Sequence, residues 1–463
     1  MKLVKKYYIE ILFLPIIGNF VINIFSNKKM NFLSDVNFYN LISSFFLFLI
    51  LFFTGKAIKE TFKLETVSIG IVFYFVYLFL IDNTLLFITK NILFDTYFFI
   101  FNFLLLFYII ISKKALKEVY YLLISFLVNF GFVTYFEKFL RVRKQLKGDV
   151  AYQWFPMAEN IYNQNYFYSL TNPVIDGYGQ LISYVHASLL KINLIFEDFE
   201  YLTSTTNLFF FLAILFFFEL NISTKNKTYL SIVFFVLVIN SDWLNYLYFD
   251  SLMGEGVVSL FFSIGLISLF KEVKKGKNSN FIIFITFGSL YFTKQFVTTL
   301  IIFIILALFF LNIKNVKILY AFIPFLINEI NLKTILINTR RDPYASNFDF
   351  KDTIIDLLTN TNLKLENAVT IFLNLIEDKP YSYLLCIFLF SNLFLFSKKY
   401  FDAESLYFMI IFSINLFLIL ALYISAWRNM PEFDSAIRFI LNLFHLTLIF
   451  SILNLDRYLK FTD

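Results

Sequence analysis

Apolar runs long enough to approach a bilayer's thickness alternate with short polar breaks along the whole chain. A helix needs about 20 apolar residues to cross hydrocarbon about 30 Å thick. Runs near 8–25, 41–55, 67–88, 92–111, 119–136, 206–222, 229–241, 256–270, 280–292, 295–312, 317–333, 381–397, 405–427 and 437–454 meet or approach that length. The pattern predicts an all-α polytopic membrane protein with about fourteen transmembrane helices. The shorter runs, 229–241 and 280–292, leave room for shifted ends or re-entrant pieces. No heptad, Gly-rich linker or long-period repeat breaks the pattern, so the chain reads as one integral domain.

Positive residues stay on the cytoplasmic side of short loops. Lysines cluster at Lys2/Lys5/Lys6, Lys56/Lys59/Lys63, Lys113/Lys114/Lys117, Lys225/Lys227, Lys271/Lys274/Lys275/Lys277, Lys314/Lys317 and Lys398/Lys399, after every second run. Both termini are then expected in the cytoplasm, and the first run, which lacks a small-residue cleavage signature, reads as a retained anchor. The chain divides into N-terminal spans (1–137), a long external loop (138–205), central spans (206–333), a second long external loop (334–380) and C-terminal spans (381–463). Both loops carry apolar residues at helical spacing, as in Ile182, Val185, Leu189 and Leu190, or Ile354, Ile355, Leu357 and Leu358. They read as packed helices lying on the membrane surface.

Composition agrees with the pattern. Of 463 residues 59% are hydrophobic and only 16% charged, with a mean hydropathy of +0.73, against roughly 25% charged in a soluble domain. A soluble globular protein is excluded. The single cysteine, Cys386, excludes an internal disulfide and a thiolate metal site, and His186 and His445 lie too far apart in sequence for a recognisable metal-ligand spacing. His445, mid-run among Leu and Phe, reads as a buried, hydrogen-bonded neutral imidazole.

The arginines break the rule that the lysines obey. Arg141, Arg143, Arg340, Arg341, Arg428 and Arg438 fall on the outward side, and only Arg457 is cytoplasmic. A guanidinium is planar, permanently charged and bidentate toward phosphate, so these residues suit an anionic lipid head group. The alternative is pairing with acids such as Asp342, Glu432 and Asp434, or contact with anionic lipid. Arg438 opens an apolar run and needs an anionic partner or a route to water.

The densest local constellation is Arg141-Val-Arg143-Lys144-Gln-Leu-Lys147-Gly148-Asp149, followed by Tyr152, Trp154 and Pro156. It sets one carboxylate just after four cations, at a loop or helix start on the outer face. There Asp149 can take a proton from a hydroxyl or amine, or serve as an N-cap. Tyr152, Trp154, Tyr162, Tyr166 and Tyr168 form an aromatic patch suited to sugar stacking or to the membrane interface. His186 can donate to a phosphate or sugar, or be a satisfied structural histidine. Asp242, Asp250 and Glu255 share one outward connection, where carboxylates bind Mg or Mn, orient a sugar hydroxyl or cap a helix. Lys294 lies in a short break between outward run ends, placed for an anion or for snorkelling.

An acid at the start of the first large external loop, followed by Trp154-x-Pro156-x-Ala158 and an amphipathic helix ending near Lys191, resembles the GT-C superfamily of integral membrane glycosyltransferases. The resemblance implies that Asp149 is the catalytic base, or in some branches a metal ligand. It also takes in Asp250-Ser-Leu-Met-Gly-Glu255-Gly, Thr293-Lys294-Gln295 and Ser435-Ala-Ile-Arg438-Phe. Asp149 is followed by Val150, not by the second acid of some branches, and five spans precede the loop where one is usual. The implied reaction passes a sugar from a polyprenyl-phosphate donor to a glycan, lipid or protein acceptor outside the plasma (inner) membrane, by an inverting displacement. Arg438, Arg428, Lys294, Arg141 and Arg143 would hold the donor phosphate, and Tyr152, Trp154, Glu255, Asp250 and His186 would meet substrate or acceptor. A divalent cation, Mg or Mn, is left open as cofactor; membrane lipid is an expected partner and nucleic acid is not. Two other classes share these features: a flippase for lipid-linked oligosaccharide, which predicts ionisable residues inside spans, where the chain has chiefly Asp82, Glu219 and Glu329 and no evident relay, and an arginine-dependent polysaccharide polymerase or ligase.

Overall fold

In a computed structural model the structure describes residues 38–89, 94–111, 154–163, 181–193, 201–245, 254–274, 280–293, 361–398, 403–424 and 440–462, with a few isolated residues besides. Every element among them is helical. The chain divides into two compact units, one built from residues 1–169, 180–232 and 248–253, the other from 170–179, 233–247 and 254–463.

The first unit contains α1 (Phe38–Phe62), α2 (Val67–Thr89), α3 (Phe94–Ile111), α4 (Phe155–Tyr162), α5 (Leu181–Asn193) and α6 (Tyr201–Glu219). Helix α7 (Thr224–Asn240) begins in it and ends in the second unit, which continues with a short α8 (Asp242–Asn245), then α9 (Gly254–Lys274), α10 (Asn280–Tyr291), α11 (Thr361–Glu377), α12 (Lys379–Ser397), α13 (Ala403–Ile424) and α14 (Phe444–Thr462), the last preceded by a 3-10 turn at Leu441–Leu443. The predicted runs at 41–55, 67–88, 92–111, 206–222, 229–241, 256–270, 280–292, 381–397, 405–427 and 437–454 each overlap one of these helices over most of their described residues. Those at 8–25, 119–136, 295–312 and 317–333 lie wholly or largely outside the described residues.

Among the described residues, α12 alone is by itself long and apolar enough to cross a membrane; α1 and α2 pass the same test as a pair, bent by 98° across the break between them. That break is a tight corner. Lys63 takes a left-handed conformation at φ 53, and the Leu64 amide returns to the Lys59 carbonyl at 2.9 Å, which closes the α1 end as αL caps do. Beyond the corner the helices touch backbone to backbone: a Cβ on Gly70 would stand 2.2 Å from the Gly55 carbonyl oxygen. Only glycine at both positions permits this approach.

Several helices expose large apolar residues while enclosing polar ones. On α3, Phe99, Ile100, Phe103, Leu104, Phe107, Ile110 and Ile111 are exposed while Asn102 is buried. On α12, Phe390 and Leu393 are exposed while Ser391 and Asn392 between them are buried; on α13, Asn415 is buried and Phe417 exposed. The enclosed amides have partners in part: Asn454 on α14 donates to the Asn392 side-chain oxygen at 3.0 Å.

Candidate functional site

Helices α4 and α5 come from the first long loop and pack together inside the first unit. Pro156 sits in the first turn of α4, where its missing N–H costs nothing, and Met157, Ala158 and Ile161 are buried. Trp154, immediately before the helix, is fully enclosed. On α5 the run from Leu181 to Ser188 is buried on all sides, so this helix does not lie half-exposed on a surface as its apolar spacing suggested. Its small or neutral polar residues, Ser183, His186 and Ser188, face protein as closely as Ile182 and Val185 do. Tyr184 meets Phe79 of α2 edge to face, with ring centres 5.6 Å apart.

A single cation fastens this pair. The Lys191 ammonium at the end of α5 lies 2.6 Å from Asp95 in the first turn of α3. It donates to the Tyr162 carbonyl at 2.7 Å and stands over the Tyr162 ring at 4.1 Å. One side chain thus joins α3, α4 and α5. Lys191 is 3% exposed, and a lysine that buried requires this density of partners.

The second unit has its own carboxylate node. Asp378 caps the start of α12, accepting from the Tyr381 amide at 3.4 Å, while its other oxygen accepts from Ser241 Oγ at 2.5 Å and from the Trp243 amide at 3.1 Å. Ser241 in turn accepts from the Leu244 amide, so one acid orders the starts of α8 and α12. In the first unit Glu219, the last residue of α6, accepts from the Val67 and Ser68 amides at 2.5 and 2.9 Å. It caps α2 from another helix.

Of the residues singled out in the sequence, Asp149, Arg141, Arg143, Tyr152, Asp250, Lys294, Arg428 and Arg438 lie outside the described residues. Glu255 falls in the first turn of α9. Trp154 and His186 are enclosed, which supports the structural alternative for His186; burial holds its imidazole far below the ordinary value, to about 3, so the ring is neutral. His445 is buried with Nδ1 2.9 Å from Ser259 Oγ, in accord with the hydrogen-bonded imidazole expected there. Among the described residues no three of His, Cys, Asp and Glu converge as a metal site would require.

The roles of Lys191 and Asp378 were not recognised from sequence, and Glu219 was read there as a mid-run acid, not as a cap for another helix. Only Asp378 carried a local signal, an acid two residues before Pro380 at a helix start. Compared with protein-family models, with curated proteins and with solved structures, the chain matches none.

Proposed function

We propose that this chain is a GT-C-like glycosyltransferase of the plasma (inner) membrane, with about fourteen spans and both termini in the cytoplasm, that passes a sugar from a polyprenyl phosphate to a glycan, lipid or protein acceptor on the outer face. The observation that carries the reading is the anchorage of the first outer loop: Asp149 runs within five residues into the enclosed Trp154 and the platform that Lys191 fastens. A base must be held within a fraction of an ångström of its working geometry, and a clamped platform next in the chain provides such a foundation.

Two further observations support membrane residence and the alternation of sides. Apolar side chains point outward and amides inward on α3, α12 and α13, as a hydrocarbon solvent requires. Polar contacts between helices also join groups that the lysine pattern assigns to one side. Lys56 pairs with Glu118, Glu219 caps α2 and Arg457 donates to Ser405, all at ends read as cytoplasmic; Lys191 pairs with Asp95 and Ser241 with Asp378 at ends read as outward.

In this mechanism Asp149 takes the proton of the acceptor hydroxyl, and the acceptor oxygen attacks the anomeric carbon from the face opposite the phosphate. The bond from that carbon to the phosphate oxygen breaks, and the charge gathering on the phosphate is met by Arg438, Arg428 and Lys294, with Arg141 and Arg143 beside them. The transporter reading asks for ionisable groups inside the spans, whereas Glu219 accepts from the Val67 and Ser68 amides at the start of α2.

The test is a transfer assay on the full chain in lipid with a panel of polyprenyl-phosphate sugars, comparing the native protein with Asp149→Asn and Arg438→Ala. Turnover by the native chain that both changes abolish, with lipid binding retained by Asp149→Asn, is the expected result. Flipping of lipid-linked glycans without turnover would replace the enzyme by a transporter, and full transfer by Asp149→Asn would remove the base.

A further inference from the structure

Helix α11 belongs to the second long outer loop and carries two apolar faces. Ile371 and Leu375 are buried against the protein. Leu365, Val369, Phe372, Leu373 and Ile376 are between 44% and 68% exposed. At 100° per residue these five fall within an arc of about 100°, the width of one helix face. Glu366, Asn367, Thr370, Asn374 and Glu377 occupy the arc beside and opposite it. The inner face already has its core contacts, so the outer stripe is surplus apolar surface.

What covers that stripe follows from its continuation. After the corner at Asp378 the exposed apolar surface resumes on α12 at Tyr383, Ile387, Phe390, Leu393 and Phe396. Helix α12 is the one described helix that by itself meets the length and apolarity of a span. The corner is held firmly: Asp378 caps α12, and Ser382 Oγ donates back to the Leu375 and Asp378 carbonyls at 2.6 and 2.8 Å. The two stripes are therefore held in a fixed relation at a bonded junction. Glu366 and Glu377 flank the α11 stripe, which lacks the Lys/Arg-rich polar face of helices drawn to anionic head groups, so its affinity must come chiefly from apolar burial.

We infer that α11 is a membrane-binding surface: its Leu365–Ile376 stripe dips into the outer leaflet at head-group depth and seats the second outer loop on lipid. This rests on the reading of the chain as membrane-embedded. The apolar cluster at Ile354–Leu358, to which the sequence pointed for this role, lies outside the described residues; the inference concerns the face that begins at Leu365.

The test labels the full chain at single cysteines in a Cys386→Ser background, reconstituted in phosphatidylcholine vesicles that carry a nitroxide either just below the head group or near the acyl-chain end. Labels at Phe372→Cys and Asn367→Cys probe the two faces of α11, and Phe390→Cys probes α12. The expected result is several-fold stronger quenching at position 372 by the shallow nitroxide than by the deep one, none at 367, and quenching at 390 by the deep one. Quenching at 390 with none at 372 overturns the inference alone. Stronger quenching of 372 by the deep nitroxide makes α11 a span and also overturns it. No quenching at 390 overturns the membrane reading, and the inference with it.

Discussion

Lys191 at the end of α5 and Asp95 at the start of α3 form an ion pair at 2.6 Å in which the cation is almost wholly enclosed and the carboxylate is 29% exposed. The asymmetry fixes which loss is worse. Asp95→Asn strands a buried ammonium and should cost about 2–4 kcal/mol. Lys191→Met leaves a carboxylate that water can reach. The double variant should be more stable than Asp95→Asn alone, as apolar replacements of buried pairs tend to be. Thermal unfolding of the three variants in one detergent measures the coupling directly, and additive effects would show that the pair is not a unit.

Gly70→Ala should destabilise the first unit by about 2 kcal/mol or more, because the new Cβ meets a backbone carbonyl that can move only with its helix. For Gly265→Ala in the second unit the three nearest atoms all belong to the Thr286 side chain, Cγ2 and Oγ1 at 2.7 Å and Cβ at 3.0 Å. Thr286→Ala in the same chain removes the two nearer atoms and should therefore recover part of the loss. Gly70→Ala should have no single-residue rescue. Unfolding midpoints of the variants decide both statements.

Lys63→Gly should stabilise the chain by roughly 0.5–1 kcal/mol. A side chain in the left-handed region costs about 1–2 kcal/mol, of which glycine's added freedom in the unfolded chain returns part. Lys63→Ala keeps the strain and should show no gain. Denaturation in matched micelles compares the two.

His186 should make stability fall on acidification. Its folded value near 3 lies below the unfolded value of about 6.5. Between these limits the unfolded chain binds the proton that the folded chain refuses, so stability is present above pH 6.5 and is lost as pH falls toward 3. At pH 5 the loss amounts to roughly 2 kcal/mol. His186→Phe should flatten this part of the profile, and an unchanged slope would show that the ring titrates freely in the fold.

Periodicity located the helices better than their ends. The run at 41–55 lies inside α1, which continues to Phe62 through Lys56 and Lys59, because a helix need not stop where hydrocarbon does. The last run is displaced in the same way: α14 continues through Asp456, Arg457 and Lys460. Apolar spacing also found α5, but its face was misread. Ser183, His186 and Ser188 are small or uncharged enough to be enclosed, so a polar stripe on this helix did not mean water. The Lys191–Asp95 pair was illegible, since the partners are remote in sequence and either one looks like an ordinary interfacial charge. The base and phosphate assignments, Asp149 and Arg438 foremost, come from the sequence and await the transfer assay.

The inward amides and outward phenyl and alkyl groups divide the chain's positions by how freely they can drift. On the proposal of a membrane-embedded chain, hydrocarbon would ask of Phe103, Phe390 or Phe417 only that they stay apolar, so Phe, Leu and Ile would be interchangeable there and nucleotide bias could settle the choice; the 68 phenylalanines fit that freedom. Asn392, Asn454, Gly55 and Gly70 have no such latitude, because each answers to a particular atom on another helix. Descendants of a common ancestor would then differ across most of their surface while keeping a sparse set of inward polar and glycine positions. Kinship in such a lineage is better sought through those few positions than through overall identity.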